Sequence, residues 1–159
     1  SHGRASQTIY DWRHYLAVVQ RKPGALRNGA PFTELPEAFR TLQQHLPESL
    51  GTERYRIGGG VFAENQVAVA RDTALAAVLG EDSVSVRSYH HQGIDRLGEG
   101  LVAAAHSDDG LVQAFVDTEG GSHVVGIQWH PEEDAEDRRL FQDLVTQARA
   151  FARQKEGTS

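Results

Sequence analysis

The residues best suited to chemistry are His130 and Glu132, which flank Pro131 just after an apolar run that ends at Trp129. A histidine can act as a general base near neutral pH, and a carboxylate can orient its ring and stabilise the imidazolium. A spacing of two along an extended chain places both side chains on the same side. The pattern predicts a base and its orienting partner, with a nucleophile supplied from elsewhere. A surface histidine before an acidic helix start would give the same pattern.

The sequence contains no cysteine, which removes a disulfide, a thiolate metal ligand and a cysteine nucleophile from the chemistry of this chain. Imidazole and carboxylate groups could still bind zinc or manganese. Adjacent strand residues point to opposite faces, so at most one of His90 and His91 could join such a site. No His-x-His or His-x-x-x-His pattern occurs, and we expect neither a metal nor a cofactor. A metal site would have to draw on Glu132 with His90, His91, His106, His123 and His130.

The composition is that of a chain that can bury a core. Its 159 residues fit one domain, or one domain with an appended segment, and 39% of them are hydrophobic. No apolar run approaches the roughly 18 residues that a membrane-spanning helix needs. No basic stretch followed by an apolar core marks a secretory signal. We therefore expect a cytoplasmic protein that does not contact a membrane.

Charge and turn-forming residues divide the chain into three parts. Residues 1–45 carry six basic and three acidic side chains, whereas residues 46–159 carry ten basic and nineteen acidic ones, within a net charge of −6. This asymmetry indicates two origins or two partners, with ordinary surface variation as the alternative. We predict a first segment over residues 1–46, a linker over 47–60 that ends in three glycines, and a domain over 61–159.

Hydrophobic periodicity predicts the elements that must position the site residues. A helix is predicted from Pro36 to His45, with Pro47 at its end. Turn residues at 108–110 and 119–121 separate short apolar runs, which favours an antiparallel meander. The other predicted elements are strands over residues 61–70, 84–88, 101–105, 112–116 and 124–129, a helix over 73–79 capped by Asp72, and an amphipathic helix over 135–154.

Five strings carry a family resemblance: Val61-Phe62-Ala63, Ser88-Tyr89-His90-His91-Gln92, Asp95-Arg96-Leu97-Gly98, Asp109-Gly110-Leu111-Val112 and Gly126-Ile127-Gln128-Trp129-His130-Pro131-Glu132. With them, residues from about Gly60 to Phe151 resemble the C-terminal half of class I glutamine amidotransferase-like proteins. More narrowly they resemble the γ-glutamyl-γ-aminobutyrate hydrolase branch, a peptidase family that cleaves γ-glutamyl amides. The resemblance implies an α/β fold, with an incomplete three-layer, flavodoxin-like sheet that has a small antiparallel part.

The resemblance also implies roles for individual residues. His130 and Glu132 match the histidine and glutamate of the family's Cys-His-Glu triad, and Ser88, Tyr89 and His90 match the segment that lines the γ-glutamyl pocket, partly through backbone groups. The family's cysteine, carried upstream in a Gly-x-Cys-x-Gly type turn, has no counterpart, and no Gly-x-Ser-x-Gly replaces it. Without a nucleophile no acyl-enzyme forms, so we predict a remnant of a γ-glutamyl amide hydrolase that is inactive alone.

Two further interpretations stay open for this half of the chain. A non-enzymatic module that keeps Tyr89, His90 and His130 could bind glutamine or a γ-glutamyl compound without any nucleophile. A second chain could also supply the cysteine. The open edge and uncovered apolar face of an incomplete sheet favour self-association or an outside partner.

The first segment resembles a different family. Residues 9–46 are similar to part of bacterial insertion-sequence transposases with an RNase H-type core, on the strings Tyr10-Asp11-Trp12-Arg13-His14-Tyr15-Leu16 and Arg21-Lys22-Pro23-Gly24-Ala25-Leu26-Arg27-Asn28-Gly29-Ala30-Pro31-Phe32. In that family the stretch follows the catalytic core, so no catalytic acid is carried over. Phosphate contacts and base stacking could come from Arg21, Lys22, Arg27, Trp12 and Tyr15. We favour a solvated basic loop and expect no nucleic-acid partner.

Overall fold

The computed structural model of the protein describes residues 39–43, 45–98, 100–117 and 124–156. Within these ranges, seven strands form one sheet, accompanied by three helices and a 3-10 turn. The strands are β1 (Phe39–Gln43), β2 (Ala63–Val69), β3 (Ser83–Ser88), β4 (Gly93–Leu97), β5 (Leu101–Ser107), β6 (Val112–Asp117) and β7 (Val125–Ile127). The helices are α1 (Leu46–Leu50), α2 (Ala74–Leu79) and α3 (Arg139–Glu156), and the 3-10 turn is Pro131–Glu133.

The strand order in the sheet is β1-β4-β6-β5-β2-β3, and β7 also pairs with β6. Every strand pair in the described ranges is antiparallel. The α/β class is confirmed, but the antiparallel part is most of the sheet rather than a small part. A short turn such as that at residues 108–110 joins antiparallel neighbours, whereas a parallel pair needs a crossover of about a dozen residues or more.

The core lies on one face of the β2–β3 pair. Buried and exposed side chains alternate along both strands, and the register pairs Val67 with Val84. Because successive side chains point to opposite faces, the other face is polar and carries an ion pair between Arg87 and Glu64, with 2.9 Å between Nη1 and Oε2. Side chains from the two longer helices and from the chain after β7 complete this core: Leu75, Leu79, Trp129 and Leu140.

The five strands predicted after residue 60 are confirmed, with small changes at their ends. The helix predicted over 73–79 is confirmed as α2, but the prediction that Asp72 caps it is wrong. The Thr73 hydroxyl accepts the hydrogen bond from the Ala76 N–H at 3.1 Å. Asp72 has a φ of 61° and so lies in the turn before the helix. Gly80, with a φ of 68°, ends the helix in the left-handed conformation.

The helix predicted from Pro36 to His45 is wrong over its described residues. Phe39–Gln43 form strand β1, which pairs antiparallel with the unpredicted strand β4, Leu42 opposite Ile94. Pairing with a strand about 50 residues further along overrides the local helical spacing, as tertiary contacts often override weak propensities. Pro47 does not end a helix but lies in the first turn of α1, where its missing N–H costs nothing.

The segment predicted as a linker, residues 47–60, contacts the sheet. It contains most of α1 and also Tyr55, which is 1% exposed. The Tyr55 hydroxyl donates to the Asp109 carboxylate, 2.6 and 2.8 Å from its two oxygens, and so ties the segment to the β5–β6 turn. The three glycines at 58–60 all have positive φ. The division of the chain at residues 46 and 60 stays a prediction.

The C-terminal helix begins at Arg139 rather than at residue 135. Local turns occupy the intervening residues, because the Asp134 carboxylate accepts the backbone N–H groups of Glu136 and Asp137 at 3.1 and 3.2 Å. The turn predicted at 119–121 lies outside the described residues. In the described part of the chain, no helix has the length and apolar character needed to cross a membrane.

Candidate active site

The two predicted catalytic residues lie close together in the segment that follows β7. Backbone hydrogen bonds extend the strand, from Gln128 N–H to the Gln113 carbonyl at 2.8 Å and from His130 N–H to the Arg87 carbonyl at 2.7 Å. His130 then precedes the 3-10 turn that carries Glu132. The pair is thus formed by a tight turn, rather than by the continuous extended strand that the spacing argument assumed.

His130 and Glu132 form a close pair, with 2.7 Å between Nδ1 and Oε1. A carboxylate only accepts, so the neutral imidazole donates from Nδ1 and keeps a lone pair on Nε2. The Nε2 atom is buried and has no hydrogen-bond partner in the described part of the chain. The His130 side chain is 10% exposed and that of Glu132 is 42% exposed. This geometry orients the ring so that Nε2 can accept a proton.

Phe62 packs against this ring and was given no role from the sequence. Its ring meets His130 edge-on, with centroids 5.0 Å apart and planes at 74°, and lies 5.3 Å from the ring of Tyr89. A signal was present, because Val61-Phe62-Ala63 is one of the strings that carry the family resemblance, and Tyr89 lies in another. The pairing of Ala63 with Ser88 places Phe62 and Tyr89 side by side at the ends of β2 and β3. The structure therefore brings Tyr89 to the site through Phe62.

Ser88 and His90 are buried rather than open to solvent. Ser88 is 0% exposed, and its hydroxyl has no hydrogen-bond partner among the described residues. His90 is 1% exposed, its backbone N–H donates to the Tyr55 carbonyl at 2.9 Å, and its Nδ1 lies 2.9 Å from the Gln92 carbonyl oxygen. Burial, with a smaller contribution from the charged form of His130, lowers the pKa of His90 to about 4. His90 is therefore neutral near pH 7.

The segment that precedes β2 is held in place by contacts with His90 and with the β5–β6 turn. The His90 ring stacks on Tyr55, with centroids 4.9 Å apart and an angle of 24°. Burial and the hydrogen bond to Asp109 raise the pKa of the Tyr55 phenol, which keeps it neutral. Arg54 forms an ion pair with Asp108, and its Nε donates to Asn65 at 3.1 Å. Residues 54–55 are thereby fastened to the β5–β6 turn.

The next residue, Arg56, stacks on Tyr89. Its guanidinium carbon is 5.2 Å from the centre of the Tyr89 ring, and its Nη1 is 3.0 Å from His91 Nδ1. The side chain is exposed. No grouping of three or more histidine, aspartate or glutamate side chains suited to a metal ion occurs in the described ranges, and His123 of the metal alternative lies outside them.

The α/β fold is similar to that of a solved structure of another protein. A crystal structure from Thermoplasma acidophilum, provisionally described as one of the GMP synthase subunits, superposes with a TM-score of 0.50 at 20% identity, over 60% of this chain and 47% of that one. The family model described as Peptidase C26 matches residues 38–132. The chain therefore belongs to the Peptidase C26 family.

Relatives of this family cover much of the chain. A Mycobacterium tuberculosis protein, provisionally named glutamine amidotransferase, is 42% identical over 137 residues, which is 81% of this chain and 44% of the relative. The chain thus spans less than half of that relative's length.

The resemblance to transposases is confirmed over a third of the chain. A transposase of Aminobacter aminovorans is 76% identical over 54 residues, 34% of this chain and 11% of that protein. The Mycobacterium tuberculosis protein matches 81% of this chain and the transposase matches 34%. These shares add up to more than the whole chain, so some residues are similar to both proteins. The alternative of DNA contacts concerns residues 12–27, which lie outside the described residues, and the expectation of no nucleic-acid partner stays a prediction.

Proposed function

We propose that this chain carries the histidine–glutamate part of a γ-glutamyl amide hydrolase of the Cys-His-Glu type and is inactive by itself. The observation that carries the proposal is the 2.7 Å contact between His130 Nδ1 and Glu132 Oε1, which leaves a buried Nε2 without a partner in the described ranges, in a chain that has no cysteine. The strings around His90 and His130 support the narrower assignment to γ-glutamyl-γ-aminobutyrate hydrolases.

The proposed chemistry needs a thiol from outside this sequence. His130 Nε2 would accept the thiol proton while the thiolate attacks the γ-carbonyl carbon, and would then return that proton to the departing amine. Glu132 would hold the ring and stabilise its charged form. Water would then hydrolyse the thioester with His130 again as base. This chain supplies the base but not the bond to the acyl group, so a complementing chain with the cysteine belongs to the proposal.

Hydrolysis of γ-glutamyl-p-nitroanilide tests the proposal, with the whole chain compared with His130→Ala. We expect both proteins to release nitroaniline at the same background rate. Release that depends on His130 would contradict inactivity and would require another nucleophile. The Ser88 hydroxyl would be the first to examine, through Ser88→Ala, because it is buried without a partner in the described residues.

A binding module is the second candidate, and one observation favours it. The Ser88 hydroxyl and His130 Nε2 are both buried without partners in the described ranges, and the carbonyl of Arg87, next to Ser88, accepts the His130 N–H. Unpaired buried polar groups are costly unless something else satisfies them. Isothermal titration with L-glutamine tests this candidate, and heat that disappears in His130→Ala supports it. Absence of heat in the unmodified chain contradicts it.

A further inference from the structure

We propose that Arg56 binds the carboxylate of the ligand of this site and so sets the specificity for α-amino-acid amides over amides without that carboxylate. This inference rests on the proposed function, because it takes the surroundings of His130 as the place where the amide binds. The juxtaposition that carries it is a wall of two aromatic rings, Phe62 and Tyr89, with His130 against one ring and Arg56 over the other.

The guanidinium of Arg56 is restrained by its contacts and keeps N–H donors that no described residue accepts. Stacking over Tyr89 and the contact from Nη1 to His91 Nδ1 restrain a long side chain that would otherwise sample many rotamers. Its Nε and Nη2 groups donate no hydrogen bond to any described residue. Arginine presents five N–H donors in a planar fork that matches a carboxylate. The free side of Arg56 is therefore suited to an anion.

The backbone of Arg56 is anchored by its own hydrogen bond and by the buried residue that precedes it. Its N–H donates to the Glu53 carbonyl at 2.9 Å, and Tyr55, the preceding residue, is buried and stacked on His90. The Tyr55 carbonyl also accepts the His90 N–H at 2.9 Å. A binding group must be held by rigid surroundings to discriminate between ligands. This anchoring distinguishes Arg56 from an arginine at the tip of an unsupported loop.

The charges around the site give the ligand one orientation. Glu132 lies at the His130 end and would repel a carboxylate there. Nearby arginines are already paired with carboxylates, Arg54 with Asp108 and Arg87 with Glu64. Arg56 makes no ion pair with a carboxylate of the described residues, so its charge remains to attract an anion. A ligand amide at His130 would thus direct its carboxylate along the aromatic wall toward Arg56.

The test is isothermal titration of the whole chain with L-glutamine and with 4-aminobutanamide, the same molecule without its α-carboxylate. We expect glutamine to bind at least about tenfold more tightly, as a charge-assisted hydrogen bond would give. In Arg56→Gln this preference should disappear, while Arg56→Lys should keep part of it. Arg71→Gln is the matched control, because Arg71 is exposed and paired with Asp82, and it should bind glutamine as the unmodified chain does.

The outcomes separate the two proposals. Equal binding of both ligands, or unchanged glutamine binding in Arg56→Gln, overturns the role of Arg56, while loss of binding in His130→Ala still supports the site itself. If neither ligand binds, both the role of Arg56 and the proposed binding site are overturned. Melting temperatures of the variants, which should match that of the unmodified chain, show whether a loss of binding comes from unfolding.

Discussion

Tyr55 and His90 stack with ring centroids 4.9 Å apart, and the backbone of His90 donates to the carbonyl of Tyr55 at 2.9 Å. Both residues are almost completely buried. The contact joins the segment that precedes β2 to the segment that follows β3. It therefore links the segment that carries Arg56 to the segment that carries Tyr89, beside the candidate site. The stability of this junction and the geometry of the site should depend on each other.

Acid should destabilise the fold through His90. Its pKa is lowered from 6.5 to about 4, mainly by burial, so between these values the unfolded chain binds a proton that the folded chain does not. The free energy of unfolding that neutral His90 contributes at pH 7 is therefore lost as the pH falls from 6.5 to about 4, and the loss is about 3 kcal/mol at most. Urea unfolding of the unmodified chain at several pH values should show this slope. His90→Gln should flatten it, whereas His45→Gln, at an exposed position, should leave it unchanged.

The hydrogen bond between Tyr55 and Asp109 should stabilise the junction measurably. Tyr55→Phe removes the donor and should lower the free energy of unfolding by about 1.5–3 kcal/mol, as for hydrogen bonds to a charged acceptor. Asp109→Asn should also destabilise, because the Leu111 N–H donates to the same carboxylate at 3.1 Å. Asp82→Asn is the control, since the side chain of Asp82 is 71% exposed, pairs with Arg71 outside this junction and should contribute little. Additive effects of the Tyr55 and Asp109 changes in the double variant would contradict a direct interaction.

Most of the sheet could be predicted from sequence, because β2 and β3 alternate strictly between buried and exposed residues. Strands β1 and β4 could not, because their pairing depends on a partner distant in the chain. The pair Leu42 and Ile94 shows this, since residues 39–43 have an apolar spacing that also fits a helix and become a strand only through the sheet.

The candidate site shows the same limit. The types and spacing of His130 and Glu132 indicated a base and its partner, and the structure places them 2.7 Å apart. Their catalytic role stays a prediction. The burial of His90 and the approach of Phe62 to His130 could not be predicted, because each requires two strand ends to meet. The position of Arg56 over Tyr89 requires in addition the buried anchor at Tyr55.

Glu132 should fix the tautomer of His130. Nitrogen chemical shifts of the ring at a pH where it is neutral should report a proton on Nδ1, because the carboxylate at 2.7 Å accepts from that atom. In Glu132→Ala the other tautomer, with its proton on Nε2, should gain population. Glu133→Ala removes a neighbouring exposed carboxylate and should leave the ring unchanged. A proton on Nε2 in the unmodified chain would show that Nε2 cannot act as the base in the neutral site.

A methyl group at Gly126 should disturb the strand that leads to the site. A Cβ at this position of β7 would clash with the ring of Phe115, which lies opposite it in β6. Overpacking of this kind costs about 1–3 kcal/mol, so Gly126→Ala should lower the urea midpoint. Because β7 continues to His130, the same change should broaden or shift the ring signals of His130. Phe115→Leu in addition should remove the clash and restore part of both properties. Gly126→Ala with unchanged stability would show that β7 can move away from β6 without cost, and that this pairing does not fix the position of His130.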